Sequence, residues 1–419
     1  MIIKTLHIAG LRAYTDAFFE FHPGMNLLVG INGVGKTTVL DALRICLSHI
    51  QPEITASKNR KESFSISDIK IGISFLQISC DFEIETTKFK LSIIQQREAI
   101  RIRETEDIRA QTEQTPEAET ITPSLKGHFP NADKSSSQSI GVFFSTKRSL
   151  IADRDPGKAA SAGGQAAAFA DALSPNREFN LRIFADWVKV QQVLSAENKS
   201  AGKKIDVLRK AVYDFLPGFS DLNVAEIDGV STFTVVKSGA TLNIRQLSDG
   251  ERGVLALVLD IARRLSQANP GLENPLEGNG IILIDELDLH LHPKWQRTIA
   301  ENLVRAFPNC QFIATSHSPQ IIPSLKPEQV QIINNSEVIT PDRSLGMDTN
   351  SVLKLLMEVD DRPEYALKAI KKVEQMIANA NFEKAIKAMS SYKKNGLDLS
   401  EWSVFEARIA RFKVIASHE

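Results

Sequence analysis

Eight residues, Gly30-Ile-Asn-Gly-Val-Gly-Lys-Thr, constrain this chain more than any other stretch. They match the spacing G-x-x-x-x-G-K-[ST]. An apolar run, Met25–Val29, precedes them, and Pro23-Gly24 marks the turn into it. A helical pattern follows, with Val39, Leu40, Leu43, Ile45, Cys46 and Leu47 on its apolar side. A strand before and a helix after are the context such a loop requires, and they set it apart from a plain Gly-rich turn. Glycines let backbone N–H groups turn inward around phosphate oxygens, and the helix start adds partial positive charge. In that geometry Lys36 reaches the β- and γ-phosphates and the Thr37 hydroxyl takes Mg2+.

Three further motifs gain weight from following that loop. Gly280-Ile-Ile-Leu-Ile-Asp-Glu reads as a buried strand that delivers two carboxylates to the C-terminal edge of a sheet. Asp285 is then placed for Mg2+ and Glu286 for the attacking water. Leu247-Ser-Asp-Gly-Glu opens a helix through Val254, Leu257, Val258 and Ile261. Ser248 and Glu251 form an S-x-x-E capping box, and the same helix start, with a hydroxyl and a Gly backbone, is a phosphate receptor. Ala314-Thr-Ser-His-Ser-Pro follows the apolar run Phe312-Ile313, which puts His317 beside the same sheet edge, where it could contact the γ-phosphate. A lone His at a strand end is more often structural, and only this neighbourhood argues otherwise.

The rest of the chain sets the frame. Its 419 residues suggest two or three domains, or one large domain with insertions. At 42% apolar and 24% charged, the composition excludes wholesale disorder and a collagen-like chain. Cys46, Cys80 and Cys310 lie far apart with no CxxC, so neither a disulfide framework nor a structural zinc site is expected, and a reducing cytoplasm fits. The N-terminus lacks the layout of a signal peptide, and no apolar run approaches a membrane span. With 50 basic and 51 acidic residues, nucleic-acid binding would need a local patch. Candidates are Lys58, Arg60 and Lys61, then Lys147 and Arg148 after a buried strand at Ile140–Phe144, where the pair could face nucleotide or DNA. Arg263-Arg264 and Lys371-Lys372 read as solvated helix faces.

Residues 97–137 are polar and read as an exposed insertion, helical at first and then loop. Residues 154–168 are rich in Gly and Ala and read as mobile. Phe179, Ile183, Phe184, Trp187 and Val188 recur at helical spacing, without the sustained heptads of a long coiled coil. The tail is all-helical by pattern, with faces of Leu367, Ile370, Val373 and Ile377, of Phe382, Ile386 and Met389, and of Trp402, Phe405, Ile409 and Phe412. Trp402 and Phe405 either pack the tail onto itself or form an oligomer contact.

The order of these motifs resembles the ABC-type ATPase head of the SMC and RecF-like families. Leu247–Glu251 resembles their LSGGQ signature, and Asp288-Leu-His-Leu-His-Pro resembles the D-loop of the RecF/OLD-like branch. Gly10-Leu-Arg-Ala-Tyr and Phe21-His-Pro-Gly-Met-Asn match the opening of such heads. The resemblance covers about residues 1–48 and 240–320. It implies an α/β fold: an ABC-type P-loop ATPase head with a mixed sheet flanked by helices, a helical and loop insertion, and a C-terminal helical tail. The expected division is a head lobe at 1–96, an insertion at 97–221 with a head strand near 140–148, a second head lobe at 222–345, and a helical domain at 346–419.

The same resemblance implies binding and hydrolysis of ATP with Mg2+ by head-to-head dimers. Gly30, Asn32, Gly33, Gly35, Lys36, Thr37 and Thr38 would bind nucleotide in cis; Thr37 and Asp285 would hold the metal; Lys36, Glu286 and His317 would be catalytic; Ser248 and Gly250 would act in trans. The family's Q-loop glutamine is not identifiable, with Gln77, Gln95 and Gln96 as candidates. The insertion is too short for an SMC arm, and the roughly 100 residues after Ser316-His-Ser leave no room for the large nuclease domain of OLD proteins. Gly346-Met-Asp-Thr-Asn-Ser-Val-Leu, Arg362-Pro and Phe382–Met389 resemble the tail of the PtuA-type ATPases of Septu and retron antiphage systems, which implies homo-oligomers and a separate HNH nuclease partner. The alternatives are a repair or chromosome-maintenance ATPase that clamps DNA, and an ATP-assembled scaffold with little turnover. An importer ATPase fits the tail poorly.

Overall fold

The computed structural model describes residues 1–97, 117–129, 137–149, 151–152, 164–197, 199–227, 230–357, 360 and 362–416. The helical start expected after residue 97 and most of the Gly/Ala-rich stretch at 154–163 lie outside those residues. The chain divides into two compact units, Met1–Val352 and Leu353–Glu419.

The first unit begins with strands β1 (Ile2–Ala9), β2 (Asp16–Glu20) and β3 (Met25–Val29), then helix α1 (Lys36–Ile54). Strands β4 (Phe75–Ile84), β5 (Thr87–Gln96), β6 (Glu117–Thr122) and β7 (Ile140–Phe144) follow. Two helices that pack on each other come next, α2 (Leu181–Glu197) and α3 (Lys199–Phe215). After them come β8 (Phe219–Ile227), β9 (Val230–Lys237) and β10 (Ala240–Asn243), then the long helix α4 (Asp249–Ala268). The unit continues with β11 (Gly280–Ile284), α5 (Ile299–Ala306), β12 (Cys310–Ser316), β13 (Val330–Asn334) and β14 (Glu337–Ile339).

Two sheets enclose the core. One is antiparallel, in the order β2-β1-β4-β5-β6. The other runs β14-β13-β3-β12-β11-β7 and is parallel except for its β14 edge. Strands β3, β7, β11 and β12 are buried at every position, which is why they read as mainly apolar or small-residue runs, broken only by the hydrogen-bonded Asn26 and Gln311. Helix α1 lies between the sheets. Val39, Leu40, Leu43, Cys46, Leu47 and Ile50 join Ile3, Leu6 and Ile8 on one side and Leu28, Ile281, Leu283 and Ile313 on the other in one cluster. A helix buried on several sides is apolar on several sides. Trimming Leu40 or Leu43 to Ala there costs roughly 2–5 kcal/mol. The buried Gln311 side chain ties the sheets together, accepting from Ile3 N and donating to Ile3 O, both at 2.8 Å.

Three features depart from the sequence reading. The polar insertion contains β6, which pairs antiparallel with β5 at the sheet edge; its Glu, Ala and Thr residues lack the apolar signal of a core strand. Residues 219–243 form a three-stranded antiparallel sheet, β8-β9-β10, that periodicity alone did not resolve. The Gly/Ala segment ends in a short 3-10 turn, Gln165–Ala168, with Ala167, Ala168 and Phe169 buried. Small residues there permit close packing.

The second unit contains α6 (Glu364–Ala378), α7 (Phe382–Lys394) and α8 (Glu401–Ala416). Ala369, Val373, Ile377, Ala385, Met389, Trp402, Phe405 and Ile409 form its core. Trp402 is fully buried, stacks on Tyr392 and donates its indole N–H to Leu397 O at 3.0 Å. The tail thus packs onto itself through Trp402 and Phe405. Ile386 and Phe412, expected on apolar faces, remain partly exposed, with Phe412 stacked on Phe382. Among the described residues no helix is long and apolar enough to cross a membrane.

Candidate nucleotide-binding site

The register of the parallel sheet brings the motif residues to one edge. Val29 pairs with Ser316, and Ile284 pairs with Ala314. The Gly-rich loop, the Asp285-Glu286 pair and His317 therefore leave their strands side by side.

The loop itself is shaped by close approach. A Cβ at Gly30 would sit 2.5 Å from Ile333 O, and one at Gly35 would sit 2.8 Å from the Tyr14 ring. Gly35 also has φ 101, a left-handed conformation that glycine adopts freely. It caps α1 without any side-chain cap, so the first N–H groups of the helix face the loop. Asn32 and Gly33 stand in the exposed arch of the loop, and Thr38 is buried at its end.

Lys36 Nζ donates to Gly30 O and Ile31 O, both at 2.8 Å, and lies 3.3 Å from His317 Nδ1. Burial pulls the Lys36 ammonium down to about 8, against the opposing pull of Asp285, Glu286 and Asp288. Anionic phosphate oxygens would relieve that cost better than carbonyls do. Thr37 Oγ1 lies 3.2 Å from both Asp285 carboxylate oxygens. These are hard oxygen donors facing each other beside a phosphate cradle, the donor set that suits Mg2+ with one or two protein ligands. The residues present fit both groups.

Thr315 and Asp288 belong to this site although the sequence reading gave neither a role there. Thr315 Oγ1 donates to Asp285 Oδ1 at 2.7 Å and accepts from Glu286 N at 2.8 Å. Asp288 Oδ1 accepts from Ser316 Oγ at 2.6 Å and from His317 N at 3.3 Å. Both residues lie within quoted motifs, but only the pairing of β11 with β12 reveals the bonds. Glu286 has φ 49, a left-handed conformation that costs a non-glycine residue roughly 1 kcal/mol or more.

The signature residues sit elsewhere on the same chain. Ser248 caps α4: its Oγ donates to Glu251 Oε2 at 2.9 Å and accepts from Glu251 N at 3.4 Å. Glu251 is also paired with Lys237 at 2.5 Å. Burial would raise the Glu251 carboxyl, but Lys237 and Ser248 outweigh it and hold it below its usual range. Gly250 is buried against the loop that follows the carboxylates, where a Cβ would lie 2.3 Å from His290 O. Among the described residues, the side-chain hydrogen bonds of Ser248 go to Glu251 and none reaches the loop at 30–38. Gln77, Gln95 and Gln96 all lie in β4 and β5, and none bonds to the loop or the carboxylates among the described residues.

Two expectations about basic residues are corrected. Arg148 does not face nucleotide or DNA: it is 6% exposed and donates to Asp285 O and Glu286 O. Arg263 and Arg264 are not a solvated face. Both are buried around Asp260, at 2.9 Å each, with Arg177 as a third partner. Burial would raise the Asp260 carboxyl, but Arg177, Arg264 and Arg263 hold it well below its usual range. Positions three and four beyond Asp260 share its helix face, which is why the pair turns inward. Lys58 and Arg60 are exposed, Lys61 lies 3.5 Å from Glu53, and Lys147 bonds to Asn176 at 2.9 Å.

Comparison with known proteins agrees with this geometry. Residues 25–322 match the family described as "AAA domain, putative AbiEii toxin, Type IV TA system". The chain is similar to the "Retron Ec83 probable ATPase" of Escherichia coli, 27% identical over 86% of this chain and 77% of that one. It is similar to the "Retron Vc95 probable ATPase" of Vibrio cholerae serotype O1 biovar El Tor, 29% identical over 86% of this chain and 80% of that one. It is also similar to the "Septu protein PtuA" of Bacillus thuringiensis, 24% identical over 93% of this chain and 92% of that one. The chain belongs to this AAA-domain family.

Proposed function

We infer that the chain is a Mg2+-dependent ATPase whose heads close in pairs on ATP, and that it serves antiphage defence beside a separate HNH nuclease. One observation carries the chemical half. Lys36, Thr37, Asp285, Glu286 and His317 meet at one sheet edge, with Thr37 Oγ1 3.2 Å from both oxygens of Asp285. The backbone of residues 30–37 orients the phosphates, and Lys36 exchanges loop carbonyls for β- and γ-oxygens. Thr37 and Asp285 hold Mg2+, which when bound neutralises charge developing on the transferred phosphoryl group. Glu286 orients and deprotonates the attacking water, and His317 meets the γ-phosphate. Ser248 and Gly250 of a partner head close the site from the other side. The likeness to two retron ATPases and to PtuA over most of this chain supports the defence role.

The test is mass in solution of the Glu286→Gln chain, with and without ATP and Mg2+, alone and with the product of the neighbouring gene. Glu286→Gln should bind ATP, hydrolyse it at least ~100-fold more slowly, and accumulate as an ATP-locked dimer. A stable complex with an HNH protein supports the defence reading. ATP-dependent dimers that strengthen with DNA and take no such partner would instead favour a repair or maintenance clamp. Turnover at the wild-type rate would remove Glu286 from the chemistry.

A further inference from the structure

The turn that bears the two carboxylates is held by more than its own strand. Asp285 N still donates to Phe144 O at 2.8 Å, continuing the pairing of β11 with β7. One residue later the chain turns, with Glu286 at φ 49. Strand β7 ends at Phe144, level with Ile284. Its next residues coil into a 3-10 turn, Thr146–Ser149, which brings Arg148 to the backbone of that carboxylate turn. The guanidinium gives one N–H to Asp285 O at 2.6 Å and another to Glu286 O at 2.5 Å. Among the described residues no carboxylate accepts from it.

A planar fork that grips two successive carbonyls fixes the two peptide planes that meet at the Glu286 Cα, and with them the direction in which the Glu286 side chain leaves. Thr315 holds the first of those peptides through Glu286 N. The two neighbours of β11 thus clamp the backbone on both sides of the Glu286 Cα, Arg148 by two carbonyl oxygens and Thr315 by one amide nitrogen. The conformation needs such holding, since a left-handed glutamate relaxes wherever its surroundings permit.

We propose that Arg148 is a positioning residue for ATP hydrolysis: by gripping the carbonyls of Asp285 and Glu286, it holds Glu286 in the turn from which its carboxylate meets the attacking water. The inference rests on the ATPase reading and deepens it. Arg148 touches neither nucleotide nor water in this role. Its removal should therefore slow the chemical step while leaving nucleotide binding to Lys36 and the loop.

The experiment compares wild type, Arg148→Met, Arg148→Lys, Glu286→Gln and the Arg148→Lys/Glu286→Gln double variant of the full chain. The readouts are steady-state ATP hydrolysis, affinity for a fluorescent ATP analogue, and Tm. Arg148→Met should lower kcat about 100-fold, the lower end of what a general base contributes, with nucleotide Kd within about threefold of wild type. Arg148→Lys keeps a buried cation but reaches fewer carbonyls, and should recover part of that loss. In the Glu286→Gln background Arg148→Lys should change kcat little further, because the group it positions is already gone. If Arg148→Met does not fold, as Tm would show, the lysine variant and the double variant decide. Equal losses in affinity and kcat, or full additivity in the double variant, would overturn the inference while the ATPase reading stands. A wild-type chain that hydrolyses no ATP would overturn both.

Discussion

Two helices of the head begin in opposite ways. Helix α1 begins at Gly35 with no side-chain cap, whereas α4 begins at Ser248 with a complete capping box. Every helix start leaves N–H groups without intrahelical partners. At α1 they stay directed at the Gly-rich loop, ready for an anion. At α4 the Ser248 hydroxyl and the Glu251 carboxylate satisfy the end from within, and Lys237 anchors that carboxylate. The proposed phosphate site therefore draws on α1 of a single chain. The α4 start is a stable, solvent-facing end whose serine must turn away from Glu251 before it can serve a nucleotide on another head.

The largest expected effect tests the open end. Lys36→Ala removes the cation of the cradle and should weaken ATP binding about 100-fold or more, taking hydrolysis with it. Calorimetric titration with ATP checks this, and full retained activity would refute the loop as the nucleotide site.

The next tests the capped end. Ser248→Arg should stop turnover while costing only about 1 kcal/mol of stability, the worth of a cap. Mixed with Lys36→Ala protein it should recover about a quarter of wild-type turnover, since half of random pairs are mixed and each mixed pair holds one intact composite site. No recovery from subunits shown to exchange would count against action in trans.

A third probes the body of α4. Asp260 compensates two buried arginines and the half-buried Arg177, so Asp260→Asn should cost about 3 kcal/mol or more at pH 7. The folded-state pKa is depressed, so this stability is fully present above the unfolded value near ~4 and is lost as pH falls through the folded one. Melting curves should show the gap to wild type narrowing below about pH 4; a gap independent of pH would mean the charge is not the cause. The smallest effect belongs to Glu251→Gln, which weakens the cap and the bond to Lys237. It should lower Tm by about 2 °C with ATP affinity of the isolated head unchanged.

The site was legible in the sequence wherever one short segment carries its own geometry. The loop at 30–37, the apolar strand ending in Asp285-Glu286 and the capping box at Ser248 each announce themselves by spacing, because backbone turns and helix ends depend on local residues. What escaped were contacts between segments distant in sequence. Thr315 meets Asp285 across 30 positions and Arg148 meets it across 137. Nothing in Lys147-Arg148 separates a surface pair from a buried clamp, and nothing in Arg263-Arg264 shows that Asp260 turns both inward. The β8-β9-β10 sheet and the edge strand β6 escaped for other reasons. The first is a run of consecutive hairpins whose mixed polar and apolar residues blur the alternation, and the second is a polar edge strand that leaves little apolar pattern.

The sequence by itself determined that this chain builds a phosphate cradle, follows it with a strand bearing two acids, and caps a third element with a serine. It did so because glycines, β-branched runs and caps act within a few residues. Only the tertiary structure decided which of the charged side chains face solvent and which hold the catalytic turn. Burying a guanidinium is costly unless carbonyls or carboxylates converge on it, and that convergence exists only once β7, β11 and β12 lie side by side.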